Sequence, residues 1–173
     1  VRKVFDDMKH IIDIFIRKLN IELENSILHE EINRASITDP LTQLYNRRYF
    51  NKRAKEEFVK AKRMGFPVSV MISDLDNFKN YVDTYGHPKG DIILMEIASV
   101  INKAVRESDM VCRFGGDEFA YLLPFASSVE ANALAERIKK TVSQFVFLKD
   151  DADIGQSVHI TLSMGIASFP EHG

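Results

Sequence analysis

Two glycines followed by two acids, Gly115-Gly116-Asp117-Glu118, separate a short apolar run from Met110 to Phe114 and another from Phe119 to Leu123. A tight, bare-backboned turn between two strand-like runs predicts a β-hairpin. A lone hairpin is marginal in water, so the rest of the chain must supply more sheet and a helical cover. Val68 to Ser73 is β-branched and apolar, as a buried strand requires, and His159 to Phe169 reads as a last strand. Before and between them fall segments with helical spacing. Leu41 to Met64 places Leu44, Phe50, Ala54 and Phe58 on one face and is closed by Gly65 and Pro67. Asp91 to Val105 points Leu94, Ile97, Ala98 and Ile101 inward, and Val129 to Val142 is helical by pattern. Interleaved strands and helices around one hairpin predict an α+β fold, a central antiparallel sheet with helices on one face.

Residues 1–36 hold neither Gly nor Pro and are rich in helix formers, which predicts one long helix. Val1, Phe5, Met8, Ile12, Phe15 and Leu19 recur at steps of four and three, the spacing of a coiled-coil seam; Ile21, Leu28, Ile32 and Ala35 continue in a displaced register. The helix either pairs with a second copy or packs on its own domain. Asp39-Pro40 ends the pattern. A chain of 173 residues, 45% hydrophobic, accommodates one domain (37–173) plus this appendage (1–36). The chain begins with Val, as expected of a piece of a longer protein carrying an upstream sensor or anchor. A formal net charge of −2 argues against a broad nucleic-acid surface. The apolar stretch Ile11–Ile16, interrupted by Asp13, is too short to cross a bilayer, so no membrane contact is expected. The lone Cys112 has no disulfide partner, which fits a reducing, cytoplasmic setting.

The chemistry-bearing residues cluster around the predicted strand ends. In Asp74-Leu75-Asp76 the carboxylates stand two residues apart, which sends both to one side of an extended strand. If the hairpin flanks this strand, Asp117-Glu118 meets them at one end of the sheet. Hard oxygen donors there suit Mg²⁺ or Mn²⁺, which also recruit phosphate oxygens and water. Alternatively, Asp76 caps a helix and the acidic turn is merely solvated. Gly115 and Gly116 let backbone amides approach a ligand, the helix start at Asn77-Phe78-Lys79 offers free N–H groups to a triphosphate, and Lys79 adds a positive charge. Together these form the minimum kit for phosphoryl or nucleotidyl transfer.

Arg113-Phe114-Gly115-Gly116-Asp117-Glu118-Phe119 resembles the signature of the GGDEF family of diguanylate cyclases. Further segments resemble it in order: Asp39-Pro40-Leu41-Thr42 through Asn46-Arg47-Arg48, Asp74 to Lys79, Asp83-Thr84-Tyr85-Gly86-His87 with Gly90-Asp91, and Ser163 to Ala167. The resemblance implies a ferredoxin-like, nucleotide-cyclase-palm-like sheet flanked by helices. It also implies condensation of two GTP molecules into cyclic di-GMP by a homodimer paired through the amino-terminal helix. By the same resemblance, Asp74, the Leu75 carbonyl and Asp117 hold the metal. Asp117 and Glu118 serve the chemistry with Lys79, while Asn77, Phe78, His87, Asp91, Leu94, Gly115 and Gly116 shape the substrate pocket. Asp91 is the carboxylate that reads the guanine edge. Arg106 and Asp109 resemble the family's Arg-x-x-Asp product-inhibition site, with Arg137 as a further member. Five strand residues span roughly 16 Å, which sets that site apart from the catalytic end.

Two positions depart from the family pattern: Val82 stands where a guanine-contacting Asn is usual, and Gln43 where Gly is usual. The chain also stops at Gly173, before the helix in which relatives keep a lysine and an arginine for the triphosphate. Val82 opens the alternative of a cyclase that accepts both GTP and ATP. A non-catalytic module that binds cyclic di-GMP is the other alternative.

Overall fold

A computed structural model describes residues 18, 22, 37–149 and 158–172. The chain divides into two units, Val1–Ser36 and Ile37–Gly173. The long helix predicted over residues 1–36 lies outside the described residues apart from Lys18 and Glu22.

The second unit is built from β1 (Tyr45–Asn46), α1 (Arg47–Met64), β2 (Val68–Leu75), α2 (Phe78–Tyr85), α3 (His87–Ala104), β3 (Met110–Arg113), β4 (Glu118–Pro124), α4 (Ser128–Gln144) and β5 (Leu162–Phe169). One five-stranded sheet runs in the order β1-β3-β4-β2-β5. All neighbours are antiparallel except β1 and β3, so the sheet is mixed rather than wholly antiparallel. The parallel edge is two residues long and arises where the chain passes β3 on its way into α1.

Helices cover both faces, not the one expected. Strand alternation explains why: Phe119, Tyr121 and Leu123 point to a core shared with Ile93, Ile97, Ile101, Leu134 and Ile138 of α3 and α4. Ala120 and Leu122 point the other way, toward Phe50 and Ala61 of α1 together with Met110 and Cys112. Both faces of the hairpin are apolar, so each needs a cover.

The predicted start of the first helix moves from Leu41 to Arg47. Asp39 prevents the earlier start: its Oδ1 accepts from Thr42 N (2.9 Å) and Thr42 Oγ1 (2.8 Å), a local turn that competes with helix. Gln43 then takes φ 60°, a left-handed conformation that glycine adopts without cost, and its amide donates to Pro40 O at 2.8 Å. Asn46 caps α1 by accepting from Tyr49 N at 2.9 Å. The helix predicted from Asp91 begins four residues earlier, at His87, because Pro88 is favourable in a first turn. A separate helix, α2, precedes it and ends at Gly86, φ 82°. Strand β2 runs two residues further than predicted, to Leu75; β5 starts at Leu162 rather than His159, with Val158 bridging Phe147 instead.

Candidate active site

The register of the sheet decides which acids meet. Asp74 of β2 lies directly opposite Glu118 of β4 on one side and Ser163 of β5 on the other. Opposed residues on neighbouring strands share a face, with Cα atoms about 5 Å apart. Asp117, one residue before β4, belongs to the same cluster. Burial first, then the negative charges of Asp117, Glu118 and Asp76, push the Asp74 carboxyl above the usual carboxylate range.

Asp76 takes neither role considered from the sequence. Its Oδ1 accepts from Ser163 Oγ (2.6 Å), its Oδ2 from Thr161 Oγ1 (2.5 Å), and its backbone N–H donates to Thr161 O (3.0 Å). The Ser163 and Thr161 bonds hold its carboxyl below the usual range. Asp76 thus ties the end of β2 to the start of β5. No side chain caps α2, because Asn77 sits at its start with φ 60° and makes no capping bond. The first-turn amides of Phe78 and Lys79 accordingly have no side-chain cap from Asn77, and the Lys79 side chain is exposed.

Among the described residues no three His, Cys, Asp or Glu side chains are grouped so as to hold a metal ion alone. The donor set nevertheless fits a hard divalent cation of the Mg²⁺ kind, which needs one or two carboxylates and completes its shell from phosphate and water. Asp74 and Asp117 are the carboxylates that could serve it, and a cation would relieve the repulsion that, after burial, raises Asp74.

The glycine turn is held from below by a residue to which the sequence alone assigns no role. Arg113 donates from Nε (3.1 Å) and Nη2 (2.8 Å) to Gly116 O, while its Nη1 lies 3.4 Å from Asp39 Oδ1. Phe114, the next residue, lies under the Arg47 guanidinium at 4.3 Å and edge-on to Phe50. Burial is the largest influence on Asp39 and raises its pKa, but the Thr42 bonds and Arg113 together bring it below the usual value. The legible signal is the Asp39-x-x-Thr42 spacing, an Asx-turn pattern. A Cβ at Gly115 would meet the movable carboxylate end of Glu118, whereas one at Gly116 would meet nothing within 4 Å.

The remaining predicted pocket residues gather where α2 crosses α3. A Cβ on Gly90 would come within 2.9 Å of Val82 Cγ2 and 3.5 Å of the Phe78 ring, so the missing side chain sets how closely the helices pack. Exposed His87 and Asp91 lie one on each side of that crossing along α3, while Leu94 is buried in the core at 3% exposure. At the start of β3 a separate cavity of about 150 Å³ is lined by Arg106, Asp109, Glu130, Leu134 and Arg137, among others. Asp109 Oδ2 accepts from Arg106 N at 2.9 Å, and Arg137 Nη2 donates to Ala104 O at 2.6 Å at the end of α3. The three predicted inhibitory-site residues therefore share one cavity, separated from Asp117 by the length of β3.

The model of the GGDEF family, described as "Diguanylate cyclase, GGDEF domain", matches residues 36–173. The chain belongs to the GGDEF family. It is similar to Diguanylate cyclase DosC of Escherichia coli (strain K12), 42% identical over 146 residues, covering 84% of this chain and 31% of that protein. It is also similar to Diguanylate cyclase A of Treponema denticola, 35% identical over 167 residues, covering 95% of this chain and 43% of that protein. The chain thus spans less than half the length of these curated relatives. Among solved structures, the coiled coil and GGDEF domain of DgcB from Caulobacter crescentus in complex with c-di-GMP matches with a TM-score of 0.80, 28% identity and coverage of 91% of this chain and 82% of that one.

Proposed function

We propose that this GGDEF domain is a diguanylate cyclase: two copies, each holding one GTP, condense them into cyclic di-GMP with release of two pyrophosphates. The observation that carries the reading is the convergence of Asp74, Asp117 and Glu118 at the sheet end, next to the uncapped start of α2. In each half-reaction the 3′-oxygen of one GTP bonds to the α-phosphorus of the other as the bond from that phosphorus to the bridging oxygen breaks. The 3′-hydroxyl proton passes to Asp117, and pyrophosphate carries away the displaced electron pair. A bound Mg²⁺, held by Asp74, the Leu75 carbonyl and Asp117, supplies charge neutralisation on the phosphates. The α2 amides at Phe78 and Lys79 hold the triphosphate, Lys79 offsets charge developing in transfer, and Gly115-Gly116 admit the nucleotide close to the backbone. Asp91 accepts from guanine N1–H and the exocyclic amine, with His87, Asn77 and Leu94 completing the pocket. The two copies pair through residues 1–36, which sets the facing geometry. Arg106, Asp109 and Arg137 bind cyclic di-GMP as product inhibitor. GTP and the unpaired Cys112, whose thiol burial pushes up to about 12, suit the cytoplasm. Among the described residues no helix is long and apolar enough to cross a membrane.

Val82 favours a second reading, in which base choice is relaxed toward ATP. It places a methyl group against Gly90, next to Asp91, where a guanine-binding site gains from a hydrogen-bond donor. Incubation with Mg²⁺ and GTP, ATP or both, with products resolved by mass, tests both readings. Cyclic di-GMP alone supports the first, a mixed dinucleotide the second. Tight cyclic di-GMP binding with no turnover under any condition leaves only a binding module. Asp74→Asn is expected to lower turnover at least about a hundredfold if the cluster holds the metal.

A further inference from the structure

The chain as a whole carries a formal charge of −2, yet α1 alone holds eight Lys or Arg against two Glu. Both acids are already engaged. Glu57 is buried and accepts from Lys60 Nζ at 2.7 Å and Arg53 Nη2 at 3.3 Å, and Glu56 pairs with Arg53 Nη1 at 3.4 Å. Phe50, Ala54 and Ala61 mark the face that packs on the sheet. At about 100° per residue, Lys52, Lys55, Val59, Lys62 and Arg63 all fall on the opposite side. All five are exposed, Val59 at 63%, and Met64 at the end of the helix at 67%. The outer face of α1 is therefore a stripe of four cations around one exposed apolar side chain, with the already paired Glu56 only at its edge. Solvated helix faces ordinarily intersperse the two signs; a basic stripe around an exposed apolar residue is the pattern of a helix lying on a charged surface.

We propose that the outer face of α1 docks this domain on an anionic lipid surface. The charge of the stripe complements phosphate headgroups, and each Lys or Arg within a Debye length adds to the attraction. The composition of its centre favours lipid over a nucleic acid. Val59 can enter the headgroup boundary while the lysine stems lie along it and lift their ammonium groups to phosphate, whereas a nucleic-acid track would place a stacking or hydrogen-bonding side chain there. Adsorption of this kind needs no membrane span, so a short apolar stretch in residues 11–16, which led to the expectation of no membrane contact, does not oppose it. Because α3 and α4 cover the other face of the sheet, docking through α1 leaves both of them facing water. Nothing in this docking depends on the cyclase reading.

Co-sedimentation of the 173-residue chain with vesicles tests it. Retention on phosphatidylcholine mixed with phosphatidylglycerol, absence from phosphatidylcholine alone and release at raised salt are expected. The combined variant Lys52→Glu, Lys55→Glu, Lys62→Glu and Arg63→Glu is expected to lower partition about tenfold or more. If it fails to fold by circular dichroism, the four corresponding Gln substitutions decide, with a smaller loss in the same direction. The proposal is overturned by equal partition onto neutral vesicles, by no partition at all, or by partition that the substitutions leave intact. It is also overturned if duplex DNA or an acidic polypeptide binds the stripe more tightly than the vesicles do.

Discussion

Arg113 occupies a position in which one guanidinium serves two partners, the carbonyl of Gly116 and the carboxylate of Asp39. Its side chain is 17% exposed and that of Asp39 19%, so neither partner finds water easily when the other is removed. Arg113→Ala is expected to lower unfolding free energy by about 1–2 kcal/mol, read as a shift in urea midpoint. Lysine in its place restores charge but not the fork. Asp39 also sets a pH dependence. Its pKa in the folded chain lies below the ordinary 3.8, so its contribution to stability is complete above that value and is lost as pH falls through the lower folded value. Asp39→Asn should therefore flatten the acid limb of an unfolding titration. Wild-type and Asn curves that run parallel below about pH 4 would refute this. The meeting of Asp74 with Asp117 is legible in the sequence because one acid pair ends an apolar strand and the other sits on the turn of a hairpin that flanks it. The Ser163 and Thr161 bonds to Asp76 are not, because they depend on which strand lies beyond β2, and no local pattern encodes that neighbour.

The elements follow the same division. Strands β2, β3 and β4 and helix α4 lie close to their predicted limits, since continuous apolar runs and the capping box at Ser127 and Glu130 are local signals. The start of α1 is not legible in this way, because helical spacing extends back through Leu44 while the Asp39–Thr42 turn competes for the same residues. Gln43, a departure from the usual glycine, occupies a left-handed position, which explains the preference there. The α2–α3 corner gives a sharp test of packing. Gly90→Ala is expected to cost about 1–3 kcal/mol, because Val82 leaves no room for a methyl group. Adding Val82→Ala should recover most of that loss; a double mutant no more stable than Gly90→Ala would show that the contact does not limit the corner.

At the scale of the molecule, the sheet separates two chemistries along one strand. Arg106 and Asp109 precede β3 and Asp117 follows it, so the cavity of mixed charge and the acidic cluster are set at its opposite ends. If turnover needs two facing copies, the rate per molecule should fall on dilution, and removal of residues 1–36 should deepen that fall. Turnover unchanged at low protein concentration after the deletion would rule out pairing through that segment. Arg113 bears on how such pairing is felt. The Arg113 side chain ties Asp39, on the loop that begins the folded unit, to the bend that presents Asp117. A tug on that loop is thereby a tug on the bend itself.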